Sequence, residues 1–160
     1  KNKKLIIDLR NNPGGFLNMA VDIASFFTPA GTIIVREQYH DKIEDQYRST
    51  GYNLLNKIPT VVIVNGGSAS ASEILAGALR DVNGSTLIGE KTFGKGSVQE
   101  LINLPNNASL KVTIAKWLTP NGTEINGNGL DPDIKVQIPE KPEEGKDYYL
   151  DKAIEIIKSK

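Results

Sequence analysis

Twice in this chain a short apolar run breaks off at a cluster of asparagine and glycine, and a helical rhythm follows at once. Leu5-Ile6-Ile7-Asp8-Leu9 ends at Asn11-Asn12-Pro13-Gly14-Gly15. Leu17, Ala20, Val21, Ile23, Ala24 and Phe27 then recur at helical spacing until Pro29 and Gly31. Pro59-Thr60-Val61-Val62-Ile63-Val64 ends at Asn65-Gly66-Gly67, after which Ile74, Leu75, Ala78, Leu79 and Val82 cover one helix face up to Asn83-Gly84. A run that is apolar at successive positions is buried on both faces, as strands of a parallel sheet are. Two such units predict an α/β layer whose parallel strands are joined by right-handed crossovers.

The remaining elements are read in the same way. Thr32-Ile33-Ile34-Val35 and Thr86-Leu87-Ile88-Gly89 are short strands, and residues 36–57 read as a long polar loop carrying Tyr39, Tyr47 and Tyr52. Residues 97–104 and 109–118 read as an antiparallel pair turned across Pro105-Asn106-Asn107. Residues 134–138 are expected to form a last strand and residues 148–157 a C-terminal helix.

Composition then narrows the chemistry. A length of 160 residues suits one domain, and 39% hydrophobic with 24% charged residues argues against wholesale disorder. Nineteen Lys+Arg balance nineteen Asp+Glu, so the basic excess of a general nucleic-acid binder is missing. Apolar runs stop far short of the ~20 residues that cross a bilayer, and Lys1-Asn2-Lys3-Lys4 does not open a signal peptide. Without cysteine there is no thiolate nucleophile, disulfide or Cys-based metal site. The single histidine, His40, sits in a polar stretch and reads as a solvated loop residue, so a His-rich zinc centre cannot be built. No metal or cofactor is expected. A nucleophilic mechanism would use Ser or Thr, with a lysine rather than an imidazole as base.

Two segments fit that expectation. Asn65-Gly66-Gly67-Ser68-Ala69-Ser70-Ala71-Ser72-Glu73 leads from a buried strand into a helix, where free N–H groups and the helix dipole favour an oxygen that turns negative during acyl transfer. The same residues also spell a capping box, in which Ser70 accepts from the Glu73 N–H and Glu73 bonds back to the Ser70 N–H. Capping and catalysis both remain open on this segment alone. Thr92-Phe93-Gly94-Lys95-Gly96-Ser97-Val98-Gln99 sets a lysine between two glycines just before a strand. Taken by itself, a Gly-Lys-Gly run is most simply a surface turn. On an extended strand Lys95, Ser97 and Gln99 share a face, though about 13 Å separates the Cα atoms of Lys95 and Gln99.

With both segments in view, the chain resembles the C-terminal processing (tail-specific) peptidases, serine proteases that use a Ser/Lys dyad. The resemblance runs through residues 5–15, Gly67-Ser68-Ala69-Ser70-Ala71-Ser72-Glu73, Lys91-Thr92-Phe93-Gly94-Lys95-Gly96, Thr119-Pro120-Asn121-Gly122 and Gly129-Leu130-Asp131-Pro132-Asp133-Ile134. It implies Ser70 as nucleophile, Lys95 as general base and Gln99 as its neighbour. It also implies an oxyanion hole from the Ala71 N–H and the Gly14-Gly15 turn. Asp81 matches an aspartate described in some members, but eleven helical residues, about 16 Å of rise, separate it from Ser70. A helix-end or supporting role is therefore expected for Asp81. For Lys95 the chemistry demands desolvation, since an ordinary lysine is protonated at neutral pH; Phe93 is the expected apolar cover.

The fold implied is a Clp protease/crotonase-like layered α/β core of repeated strand–helix units with additional antiparallel strands. Residues 1–160 are expected to be a peptidase core whose first part and substrate-selecting PDZ domain are absent, with a homodimer or strand swap covering any exposed edge. Protein or peptide substrates and an extracytoplasmic, cell-envelope setting follow from the resemblance alone. One rival reading is a catalytically silent peptide-binding or assembly domain with residues 36–57 as its contact surface. Another is an enzyme acting on coenzyme A thioesters, which would not need Lys95.

Overall fold

The computed structural model describes residues 3–40 and 42–160. Four parallel strands, β1 (Leu5–Asp8), β4 (Thr60–Val64), β5 (Thr86–Gly89) and β8 (Ile134–Lys135), form one sheet in the order β1-β4-β5-β8. Four antiparallel strands, β2 (Ile33–Tyr39), β3 (Lys42–Arg48), β6 (Ser97–Asn103) and β7 (Ser109–Leu118), form a second in the order β3-β2-β7-β6. Helices α1 (Leu17–Ser25) and α2 (Ala71–Asn83) pack against each other on one face of the parallel sheet. The C-terminal helix α3 (Tyr148–Ser159) covers the other face. None of the helices among the described residues is long and apolar enough to cross a membrane.

β4 shows why the apolar runs had to be central. All five of its residues are buried. Val62 and Val64 face the core made with α1, α2 and β2, while Val61 and Ile63 face Ala153 and Ile157 of α3. Strand β4 thus holds two cores together. α2 ends as its sequence dictates, with Gly84 in the left-handed conformation at the cap. α3 starts at Asp147, whose carboxylate accepts from the Tyr149 and Leu150 N–H groups.

Three expectations change. Residues 36–57 do not form one long loop, because β2 and β3 make a hairpin over most of the first part, with exposed His40 at its turn in a positive-φ conformation. The alternation is hidden in the sequence by a buried glutamate. Glu37 faces inward between strands and accepts from the Tyr47 hydroxyl at 3.1 Å, and Tyr47 packs edge-on against Trp117. Burial, followed by the Glu37 charge, raises the pKa of Tyr47. The last strand is shorter than expected, pairing only at Ile134 and Lys135 before the Val136 N–H reaches the Gly89 carbonyl. α1 stops at Ser25, its end bonded through the Phe26 and Phe27 N–H groups.

Candidate active site

β4 and β1 run parallel and side by side, so the turns that follow them emerge at the same edge of the sheet. The two turns are stitched together. The Asn11 N–H donates to Asn65 Oδ1 at 2.9 Å, and Asn65 Nδ2 donates to Asn11 Oδ1 at 3.0 Å. Fully buried Ser68 donates its hydroxyl to the Leu9 carbonyl at 2.7 Å and accepts from the Asn65 N–H at 3.0 Å. The Ala69 N–H reaches the Asn12 carbonyl at 3.0 Å. Gly14 then lies against the mouth of α2. A Cβ there would stand 2.5 Å from the Ala69 oxygen and 2.7 Å from the Ala71 nitrogen, and its φ of +90° also calls for glycine.

Ser70 sits at that mouth with φ 58° and ψ −121°, a region that costs a non-glycine residue about 1–3 kcal/mol and recurs at functional sites. The capping box exists in modified form. The Ser70 side chain faces the Glu73 N–H, but the well-formed bond from that N–H goes to the Ser70 carbonyl at 2.9 Å. The return half is intact, with the Ser70 N–H donating to Glu73 Oε2 at 2.9 Å.

Glu73 does far more than cap. Completely buried, it also accepts from the Thr92 hydroxyl at 2.5 Å, the Gly94 N–H at 2.8 Å and the Lys95 N–H at 2.9 Å. One carboxylate oxygen, Oε2, therefore receives both the Ser70 and the Lys95 backbone N–H, which places the two residues' nitrogens within two hydrogen-bond lengths of each other. Local pattern showed only the capping half of this role, because the other donors lie on a loop about twenty residues away in sequence.

The lysine loop is held from its far side as well. The Gly127 N–H donates to the Gly94 carbonyl at 2.9 Å, and the Leu130 N–H to the Thr92 hydroxyl at 2.7 Å. Gly94, at φ +89°, leaves no room for a Cβ against the backbone of Gly129. The glycine-rich stretch before Leu130 is thus the outer wall of the Lys95 turn. The Lys95 side chain itself is exposed, and Phe93 is 68% exposed, so the apolar cover expected from Phe93 is not there. Among the described residues no hydrogen bond joins the Lys95 amine to the Ser70 hydroxyl.

Gln99 lies exposed on β6, just after a bulge between Val98 and Gln99 that breaks the simple alternation from Lys95. Asp81 lies near the far end of α2. It accepts from the Asn121 N–H at 3.0 Å and pairs with Arg80 at 3.2 Å, so it anchors the turn that leads into the wall behind Lys95. Of the two glycines in the first turn, Gly14 gives its N–H to Asn12 Oδ1 at 3.0 Å. The N–H groups of Gly15 and Ala71 have no acceptor among the described residues.

Arg10, which precedes the first turn, is gripped by Asp8 at 2.6 Å and Asp147 at 2.7 Å, and its guanidinium lies over the Tyr149 ring. Hydrogen bonds from Arg10 hold both carboxyls below the ordinary aspartate range and raise the pKa of Arg10 in turn. Tyr149 is pushed up to about 12, by burial first and then by its hydrogen bond to Glu90.

Residues 1–136 match peptidase family S41. A carboxy-terminal-processing protease of Bartonella bacilliformis is 43% identical over 148 residues, covering 92% of this chain and 34% of that protein. A carboxyl-terminal-processing protease of Synechocystis is 46% identical over 134 residues, covering 84% of this chain and 31% of that protein. The chain thus spans about a third of the length of these relatives. Among solved structures, the photosystem II D1 C-terminal processing protease superposes with a TM-score of 0.79 at 35% identity, over 96% of this chain and 38% of that one. The tricorn protease shares the fold, with a TM-score of 0.63 at 20% identity over 98% of this chain and 15% of its own. The layered, Clp-like α/β core expected from the sequence is the fold observed.

Proposed function

The chain belongs to peptidase family S41, and from that premise we propose that it carries the catalytic surface of a serine endopeptidase that cleaves proteins near or from their C-termini. In this reading neutral Lys95 takes the Ser70 proton as the hydroxyl attacks the scissile carbonyl. The Ala71 and Gly15 N–H groups receive the developing oxyanion, while Gly14 allows the turn to lie against the helix mouth. Lys95 then gives its proton to the leaving amine, and water activated by the same amine resolves the acyl-enzyme. Gln99 steadies the amine, and Asp81 supports the loop from a distance.

The observation that carries the reading is the Glu73 carboxylate, which ties the Ser70 and Lys95 backbones to one oxygen inside the protein. A buried charge costs several kcal/mol unless it is fully bonded. Its place between these two residues supports a site whose backbone is fixed before substrate arrives. The exposed Lys95 side chain must then be covered, by the substrate or by the rest of the polypeptide, to act as a base. Selection of substrate tails by a PDZ domain elsewhere in the polypeptide, and work outside the cytoplasm, belong to the same reading.

The exposure of Lys95 is also the observation that favours the rival, a binding domain without catalysis. Peptide hydrolysis by the full chain separates the two. Ser70→Ala and Lys95→Ala should each lower kcat by at least about 1,000-fold with circular dichroism unchanged. Turnover that persists in either variant rejects the assignment.

A further inference from the structure

The turn that carries the Gly15 N–H is thinly held by packing. Asn11, Asn12, Pro13, Gly15 and Phe16 are all exposed, and Asn11 and Gly14 both have positive φ. Its firm attachments lie at its root, where the Leu9 carbonyl accepts from Ser68 and the Asn11 N–H donates to Asn65. Arg10 stands between those two backbone anchors. Its guanidinium fork is filled by two carboxylates. Nε and Nη2 donate to Asp8 at 3.0 and 2.6 Å, while Nη1 and Nη2 donate to Asp147 at 2.8 and 2.7 Å.

Asp147 is also the cap of α3, its Oδ1 accepting from the Tyr149 and Leu150 N–H groups at 3.1 and 3.0 Å. The Tyr149 ring lies under the Arg10 guanidinium at 5.4 Å, and its hydroxyl donates to Glu90. Glu90 follows β5, and its N–H donates to the Val64 carbonyl at the end of β4 at 3.1 Å. The first turn of α3 therefore grips the ends of β1 and β5, which flank β4, at the edge where both turns of the site begin. Asp147 and Tyr149 lie beyond residue 136, where the match to the peptidase family ends.

α3 does not need this grip to dock. Ala153 and Ile157 already seat it on Val61, Ile63 and Ile88. Partly exposed ion pairs add little to stability, whereas an arginine held by two carboxylate forks is fixed in direction as well as distance. The cluster is thus worth more as geometry than as stability.

We infer that Arg10, Asp147 and Tyr149 are positioning residues: through them the first turn of α3 sets the place of the 11–15 turn and of its Gly15 N–H. The inference rests on the proposed role of Gly15 beside Ser70. A helix seated on the far face of the sheet serves as a fixed reference, and Arg10 passes that reference to a turn that has little packing of its own. A misplaced donor weakens the hold on the oxyanion in the transition state and leaves ground-state binding of the peptide largely unchanged.

The test uses the full chain, a fluorogenic peptide and four variants. Asp147→Asn keeps a capping side chain on α3 and removes the charge that Arg10 faces. Arg10→Met removes the fork, Arg10→Lys keeps only its charge, and Tyr149→Phe keeps the ring and drops the hydroxyl. Reactive sites are counted by the end point of fluorophosphonate labelling, so that kcat is expressed per competent site. Arg10→Met and Asp147→Asn should each lower that kcat about tenfold with KM within about twofold of wild type. Arg10→Lys should recover part of the loss, and Tyr149→Phe should cost about threefold. In protein labelled with 15N-glycine, the Gly15 amide resonance should move in Arg10→Met and Asp147→Asn, while that of Gly84 at the far end of α2 stays. A purely structural role would lower the number of reactive sites and leave kcat per site intact, which overturns the inference, as does a loss confined to KM. If the wild-type chain hydrolyses nothing, the Ser70 and Lys95 chemistry fails on its own account. The Gly15 resonance then decides the placement of the turn: movement upholds it, and an unmoved resonance overturns it.

Discussion

The serine half and the lysine half of the site are built differently. Ser70 stands among buried residues, its strained backbone braced by Ser68, by the Asn11–Asn65 pair and by Glu73. Lys95 has an equally fixed backbone, held by Glu73 from inside and by the 121–130 loop from outside, but its amine reaches into solvent at the start of the exposed strand β6. The difference teaches where organisation has been invested: the folded chain fixes peptide groups, and in the proposed mechanism the amine gains its working environment only on contact with something else. Stability and activity should therefore respond to quite different residues.

Denaturant unfolding puts that contrast to the test. Glu73→Ala should cost the most, about 4 kcal/mol or more, because four donors lose their buried acceptor at once. A cost below about 1 kcal/mol would show that the two halves are not joined through this carboxylate. Gly14→Ala comes next, at roughly 2–3 kcal/mol with about 100-fold lower kcat, since its methyl must displace the backbone of Ala69 and Ala71. Ser68→Ala should cost about 1–2 kcal/mol, because the Asn65 N–H loses its acceptor and the Leu9 carbonyl keeps only the Asn12 N–H.

A smaller effect is expected from acid. Asp8 and Asp147 have carboxyls lowered by Arg10, so the unfolded chain binds more protons than the folded one. Their contribution is complete above pH ~4 and is lost as pH falls through their lowered values. An acid titration of stability should lose part of its slope in Arg10→Met; an unchanged slope would mean the clamp on α3 is idle. Lys95→Ala should be smallest, within about 0.5 kcal/mol, while removing hydrolysis altogether.

Much of this was open to reading from residue order, for physical reasons that also explain what was hidden. The parallel sheet and its helices announced themselves because β4 and β5 are buried on both faces over residues 61–64 and 87–88, which are apolar at successive positions, and because Gly84 stops α2 with an unmistakable signal. The β2–β3 hairpin stayed hidden because one of its inward positions holds Glu37, satisfied by Tyr47 across the strands. Ser70 was visible as a serine at a strand–helix junction. Glu73 was visible only as a cap, since Thr92, Gly94 and Lys95 reach it through tertiary folding, which leaves no trace in local spacing. The exposure of Phe93 was equally illegible, because an aromatic residue just before a glycine turn reads the same whether covered or bare.

The most direct test of Ser70 acting through the Lys95 amine is covalent. The full chain is treated with a serine-reactive fluorophosphonate, and the modified peptide is located by mass spectrometry. One phosphonyl group on Ser70, lost in Lys95→Ala, is the expected result. Modification at another serine, or on Ser70 at an undiminished rate without Lys95, would contradict it.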